Sequence, residues 1–146
     1  MGKSVQDVMT RDPRTATPSL SLTDAAQIMK AEDAGALPVV EDGRLVGIVT
    51  DRDIVVRAVA EGVDPRSLTV GDIASRPVIA LTPSQDLDDA LAIMAQHQVR
   101  RLPVVEWDDV VVGILAQADV ALNVKEKRSG ETLEEISRPA GATAWQ

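Results

Sequence analysis

The pattern of apolar and polar residues predicts alternating helices and strands. Apolar residues recur at helical spacing over 22–29, and Ser21 in front of them suits a helix N-cap. Two apolar runs, 37–40 and 45–49, are separated by a polar Glu-Asp-Gly-Arg turn, which predicts a hairpin. A second helix is predicted over 50–62. It is expected to end at Gly62, because glycine favours helix termination.

The chain repeats this pattern at an offset of 65 residues. The matching segments are 5–8 with 70–73, 17–19 with 82–84, 25–29 with 90–94 and 37–41 with 102–106. After one inserted residue, 47–49 matches 113–115 and Asp53 matches Asp119. Each repeat is therefore predicted to run strand, helix, strand, strand, helix. A duplication of this kind predicts a pseudo-twofold domain with a groove between its halves, where a ligand can bind.

The repeat divides the chain into segments. We predict a first repeat over 1–62, a linker over 63–69, a second repeat over 70–124, and a polar C-terminal helix and tail over 125–146. Within the last segment, 131–137 has the composition of a short helix, and 138–146 has that of a frayed end.

Composition and charge exclude several classes of function. The 146 residues include no cysteine, which excludes disulfides and thiolate chemistry and fits a cytoplasmic location. A net charge of −8 argues against binding to nucleic acid or to acidic membrane surfaces. No apolar run approaches the ~20 residues that a membrane span needs. The sequence also lacks a supported Ser-His-acid constellation or a metal-ligand cluster, so we expect neither an enzyme nor a metal site.

Three features together resemble the cystathionine β-synthase (CBS) domain family. They are the two Leu-Pro-Val-Val strands, the segment 47–53 (GIVTDRD) and the duplication itself. The resemblance covers about residues 3–124. Segments 37–38, 50–55 and 97–101 look especially like the stand-alone hypoxic-response-type CBS pairs of actinobacteria. It implies an α+β fold, with tandem β-α-β-β-α repeats whose sheets pack against each other and whose helices lie outside. Such a pair is a Bateman module, in which adenosine-containing ligands bind in clefts between the repeats.

The resemblance also implies which residues line each cleft. One cleft is implied to combine Thr50 and Asp53 with Pro77, Val78, Ile79, Arg100 and Arg101. The other is implied to combine Ala116 and Asp119 with Thr15, Ala16, Gly35 and Ala36, and it lacks an arginine pair. We therefore expect one competent cleft and one degenerate cleft.

The pair Thr50 and Asp53 has two possible roles. A carboxylate can accept both vicinal hydroxyls of a ribose, and a hydroxyl near a helix N-terminus can assist a phosphate. The same spacing also fits a capping box, in which the threonine caps the helix and the acid reaches back to its backbone. The spacing leaves both roles open, and the family resemblance favours binding.

Two classes of function remain. The first is a regulatory module that binds an adenine nucleotide (AMP, ADP or ATP), with S-adenosylmethionine or NADH less favoured, and that signals to a partner. A single phosphate, as in AMP, is the simplest match to the pair Arg100 and Arg101. The second is a ligand-free interaction module that acts through dimerisation. In both cases we expect a homodimer and a protein target that the sequence does not name.

Overall fold

The computed structural model describes residues 2–76 and 79–127. They form two compact units. Of the described residues, the repeat-one unit comprises 12–76, 79 and 105–112, and the repeat-two unit comprises 2–11, 80–104 and 113–127. The predicted repeat boundaries at 62 and 70 stay a prediction, because the units group segments from both halves of the sequence.

The repeat-one unit is built around an antiparallel hairpin. Strands β2 (Ala36–Glu41) and β3 (Arg44–Thr50) pair in a register that matches Ala36 with Thr50. The turn between them has positive φ angles of 54° at Asp42 and 79° at Gly43, the backbone that a tight hairpin requires. This confirms the hairpin predicted from the sequence.

Helices cover this hairpin within the repeat-one unit. They are α2 (Leu22–Glu32), α3 (Asp51–Ile54) with a π-helical continuation over Val55–Val59, a 3-10 turn (Pro65–Ser67) and α4 (Val70–Ile73). The Ser21 hydroxyl accepts a 3.1 Å hydrogen bond from the Asp24 backbone N–H, which confirms Ser21 as the N-cap of α2. The predicted helix over 50–62 is thus a single α turn followed by a π-helix, and the chain turns at Gly62 with φ +73°.

An aliphatic core fills the repeat-one unit. Its buried members come from the hairpin, from α2 and from the segments around them: Ala16, Leu22, Ala25, Met29, Leu37, Val39, Val49, Ala58, Val70 and Ile73. Burying each of the larger side chains contributes about 1.5–3 kcal/mol relative to leaving it in water. Asp53 lies at the edge of this core, in a helix that begins where β3 ends.

The repeat-two unit has the same plan. Its elements are α1 (Val5–Val8), β1 (Thr10–Arg11), α5 (Leu87–His97), β4 (Arg101–Val105), β5 (Val111–Ala116) and α6 (Gln117–Lys127). The strands form one sheet in the order β1-β5-β4, and a 3-10 turn (Trp107–Asp109) joins β4 to β5. The hairpin tip, 105–112, groups with the repeat-one unit.

The first strand of each repeat is very short. Ala16 forms a single parallel bridge with Val39, and Leu81 forms one with Val104. The tandem β-α-β-β-α order is confirmed, with each first strand reduced to one bridge. The predicted linker over 63–69 contains the 3-10 turn, and the predicted helix over 131–137 and tail over 138–146 lie outside the described residues.

Each unit contains the short helix that precedes the other repeat in the sequence. In the repeat-one unit, the backbone N–H groups of Val70 and Gly71 donate to the carbonyls of Leu20 and Pro18, both over 2.8 Å. Helix α4, which belongs to the second sequence repeat, is therefore hydrogen-bonded to the segment before α2 in the repeat-one unit.

The equivalent exchange occurs in the repeat-two unit. The backbone N–H of Val5 donates to the Gln85 carbonyl over 2.8 Å, and that of Gln6 donates to Pro83 over 2.9 Å. Helix α1 thus belongs with the second repeat. Within the described part of the chain, no helix is both long enough and apolar enough to cross a bilayer.

Candidate functional site

The candidate site lies at the first turn of α3. The Thr50 hydroxyl accepts a hydrogen bond from the Asp53 backbone N–H over 3.0 Å, and Asp53 Oδ2 accepts one from the Thr50 N–H over 3.0 Å. These two bonds form the capping box that the sequence left as one alternative. The Asp53 side chain is only 13% exposed, so its carboxylate stands at a partly desolvated position.

Small residues line the approach to this helix start. Ala36 lies opposite Thr50 in the hairpin, and the Gly35 carbonyl accepts a 3.0 Å hydrogen bond from the Asp51 N–H. Two residues predicted for the second cleft therefore lie beside the start of the helix that carries Asp53.

Arg57 is a residue that the sequence analysis missed. Its Nε lies 3.9 Å from Asp53 Oδ1, and its Nη1 donates a 2.8 Å hydrogen bond to the Ile73 carbonyl. The signal that could have found it is the separation of four residues between Asp53 and Arg57, which places both side chains on one helical face.

Among the described residues, two other capping boxes occur, at α1 and α4. In both, the first residue donates its backbone N–H and its hydroxyl to the same carboxylate oxygen: Ser4 to Asp7 over 2.9 and 3.1 Å, and Thr69 to Asp72 over 2.8 and 3.2 Å. The backbone N–H of Ser4, followed by its hydroxyl, lowers the pKa of Asp7 below its usual value.

The box at α3 differs in one respect. Residue 50 gives the Asp53 carboxylate one hydrogen bond, from its backbone N–H, whereas Ser4 and Thr69 each give two, from the N–H and the hydroxyl. Asp53 thereby keeps more of its acceptor capacity than Asp7 or Asp72.

The repeat-two unit shows the corresponding helix start in another form. The Gln117 backbone N–H donates to the Arg100 carbonyl over 2.7 Å, just as Asp51 donates to Gly35. Ala116 stands in place of Thr50 and has no hydroxyl, so this helix cannot form the same box. Asp119 is half-buried, and Arg100 and Arg101 lie, also half-buried, before and at the start of β4.

The remaining predicted residues are distributed as follows. Ala16 forms the bridge to β2, Thr15 precedes it, and Ile79 is 39% exposed. Pro77 and Val78 lie outside the described residues. Each predicted cleft draws residues from both compact units, and the composition of the two clefts stays a prediction.

No metal-ligand cluster accompanies this site in the part of the chain that the structure describes. Residues 2–76 and 79–127 contain no group of three His, Cys, Asp or Glu side chains that could hold a metal ion. Elsewhere in the repeat-one unit, Asp64 forms an ion pair with Arg66 over 2.9 Å. The hydrogen-bonded guanidinium of Arg66 lowers the pKa of the Asp64 carboxyl.

Comparison with protein families identifies the class. The CBS domain family model matches residues 5–59 and again residues 70–126. The chain therefore belongs to the CBS domain family and carries two tandem CBS repeats, which confirms the resemblance seen in the sequence.

Its relatives include stand-alone CBS-domain proteins. CBS domain-containing protein YhcV of Bacillus subtilis is 42% identical over 135 residues, which cover 92% of this chain and 95% of that protein. Hypoxic response protein 1 of Mycobacterium tuberculosis is 38% identical over 120 residues, covering 82% and 83% respectively.

Three solved structures share the fold. Hypoxic Response Protein I, solved with two coordinated zinc ions, has a TM-score of 0.74 at 37% identity, covering 82% of this chain and 98% of that one. The CBS pair of MJ0100, in complex with 5′-methylthioadenosine and S-adenosyl-L-methionine, has a TM-score of 0.80 at 29% identity, covering 88% and 100%. CBSX2 in complex with AMP has a TM-score of 0.73 at 29% identity, covering 87% and 100%.

Proposed function

We propose that this CBS pair is a regulatory module that binds an adenine nucleotide, AMP foremost, and transmits binding to a separate protein. The observation that carries the proposal is the largely buried Asp53 carboxylate, held at the start of α3 beside the Thr50 hydroxyl. The AMP complex of CBSX2 and the adenosine-type ligands of the MJ0100 pair support the class of ligand. The absence of cysteine favours a cytoplasmic location.

The capping box and ribose binding are compatible. Asp53 Oδ2 accepts one hydrogen bond, from the Thr50 N–H, and a carboxylate has about four lone-pair sites. Two ribose hydroxyls can therefore donate to Asp53 while the cap remains in place. The cap fixes the carboxylate before the ligand arrives, which reduces the ordering cost of binding.

The rest of the proposed cleft follows the family pattern. Arg100 and Arg101 would meet the phosphate, and the segment Pro77, Val78 and Ile79 would contact the base. The exposed apolar side chain of Ile79 suits that contact. The cleft of Ala116 and Asp119, with Thr15, Ala16, Gly35 and Ala36, is proposed to be degenerate because it lacks the Thr50 hydroxyl and the arginine pair.

A second candidate function is a ligand-free interaction module. The observation that favours it is an apolar surface directly after α3: Val55, Val56 and Val59 are exposed by 56%, 44% and 57%. Exposed aliphatic side chains grouped in this way commonly mark a protein contact. A homodimer formed through this surface is compatible with both candidates.

Isothermal titration calorimetry of the chain against AMP, ADP, ATP, S-adenosylmethionine and NADH separates the two functions. The nucleotide sensor predicts saturable binding near one ligand per chain, with AMP among the binders. Absence of heat across the panel at millimolar ligand would reject the sensor. In that case the interaction module is the remaining candidate, and its self-association is measured by sedimentation velocity.

A further inference from the structure

The Arg57 guanidinium connects the Asp53 carboxylate to a second element of the repeat-one unit. One side of the guanidinium faces Asp53, with Nε 3.9 Å from Oδ1. The other side is fixed, because Nη1 donates a 2.8 Å hydrogen bond to the Ile73 carbonyl at the end of α4. A planar guanidinium held at one end keeps its remaining N–H groups in a defined direction.

We propose that Arg57 is a positioning residue for ligand binding: it orients the Asp53 carboxylate toward the ribose and supplies its counter-charge. This inference rests on the proposed function. Arg57 acts through Asp53 and need not touch the nucleotide.

Desolvation is the physical reason for the counter-charge. The Asp53 side chain retains 13% exposure, and a bound ribose would remove most of that remaining contact with water. A carboxylate that loses its water is tolerated when it is both hydrogen-bonded and paired with a cation. The Thr50 N–H supplies the hydrogen bond, and in the described part of the chain Arg57 supplies the ion pair.

The second repeat lacks this arrangement. After the inserted residue, Asn123 occupies the position of Arg57. Its amide nitrogen donates to the Asp119 backbone carbonyl over 3.1 Å, and its oxygen accepts from Lys3 Nζ over 3.0 Å. Asp119 therefore has no arginine one helical turn after it. The first site has the Thr50 hydroxyl, the Arg57 counter-ion and the proposed arginine pair, and the second site has none of the three. The feature common to both is the carboxylate, Asp53 or Asp119.

The test compares two ligands that differ only at the ribose. AMP and 2′,3′-dideoxyadenosine 5′-monophosphate are titrated by calorimetry into the wild type, Arg57→Gln and Arg57→Lys. Arg66→Gln is the matched control, because Arg66 also pairs with a carboxylate, Asp64, and is strongly exposed. Thermal melts of each variant establish that it is folded.

Arg57→Gln is expected to weaken AMP binding roughly three- to tenfold and to leave the dideoxy analogue unchanged. Arg57→Lys keeps the charge but not the planar fork, so its AMP affinity should fall between those of the wild type and Arg57→Gln. The Asp53→Ala, Arg57→Gln double variant should bind AMP no more weakly than Asp53→Ala alone, because Arg57 acts through Asp53.

Three results would overturn the inference. Unchanged AMP affinity in Arg57→Gln would show that Arg57 has no part in binding, and the proposed function would stand. An equal loss for both ligands would assign Arg57 to the phosphate or to the fold. A wild type that binds no AMP would reject the proposed function, and the role of Arg57 with it.

Discussion

Asp53 and Thr50 exchange two hydrogen bonds of 3.0 Å, each from a backbone nitrogen to a side-chain oxygen. The pattern Ser/Thr-x-x-Asp occurs three more times, ending at Asp7, Asp24 and Asp72. At Asp7 and Asp72 both the N–H and the hydroxyl of the first residue donate to the acid, and at Ser21 the hydroxyl accepts from the Asp24 N–H. The Asp53 carboxylate keeps acceptor sites that the cap does not use, and Arg57 lies beside it. Capping alone requires neither feature. The boxes at α1 and α4 therefore serve as internal comparisons that separate capping from ligand binding.

Replacement of Arg101 tests the proposed phosphate contact. Arg101→Ala should weaken AMP binding by roughly ten- to a hundredfold and adenosine binding much less, because it removes a charge-assisted hydrogen bond to phosphate. Calorimetry with both ligands measures the difference, and Arg66→Ala is the control for loss of one positive charge. An equal loss for AMP and adenosine would remove Arg101 from the phosphate.

The exposed valine surface predicts self-association. Val59→Asp should shift the sedimentation of the chain toward the monomer, because it places a charge in an apolar contact that must lose its water. Val110→Asp is the matched control, since Val110 is also exposed, by 43%, but lies in the β4–β5 hairpin tip. A Val59→Asp variant that sediments as the wild type would contradict this choice of surface.

Gly47 permits a close approach between β3 and the segment after α4. A Cβ at this position would lie 3.1 Å from the Ser75 carbonyl oxygen and 3.6 Å from the Ala74 Cβ. Gly47→Ala should therefore lower the free energy of unfolding by about 1–3 kcal/mol, as overpacked sites do. Urea denaturation measures the change, and an unaltered midpoint would mean that the backbone moves aside freely.

The Ser4–Asp7 box predicts a dependence of stability on pH. Hydrogen bonds from Ser4 hold the pKa of Asp7 below its usual value of 3.8, so the folded state favours the carboxylate. The stabilisation is present above the unfolded pKa and is lost as the pH falls through the lower, folded pKa. The stability difference between wild type and Asp7→Asn should therefore shrink as the pH falls from about 5 to about 2. A constant difference across that range would contradict the assignment.

Local signals in the sequence predicted the start of α2 and the first hairpin. Ser21 predicted the start of α2, and the Asp42-Gly43 turn predicted the β2–β3 hairpin, because capping and turn chemistry depend on neighbouring residues. The duplication predicted the tandem repeats, which the family match confirms.

The partners of the short helices could not be predicted in this way. Segments 5–8 and 70–73 have nearly the same pattern, so the sequence does not say which repeat each one packs against. Their exchange is set by long-range hydrogen bonds such as those from Val70 to Leu20 and from Val5 to Gln85. The spacing of four residues from Asp53 could have indicated Arg57, but its anchor at the Ile73 carbonyl, 16 residues away, could not be predicted from that spacing.

We propose that Asp53, and not its repeat-two counterpart Asp119, holds the ligand. Calorimetric titration of AMP into wild type, Asp53→Ala, Asp119→Ala and Asp72→Ala tests it most directly, with Asp72→Ala as the control for a lost capping acid. We expect binding near one AMP per chain, which Asp53→Ala weakens roughly thirtyfold or more and which the other two variants leave nearly unchanged. Loss of binding in Asp119→Ala with retention in Asp53→Ala would contradict it.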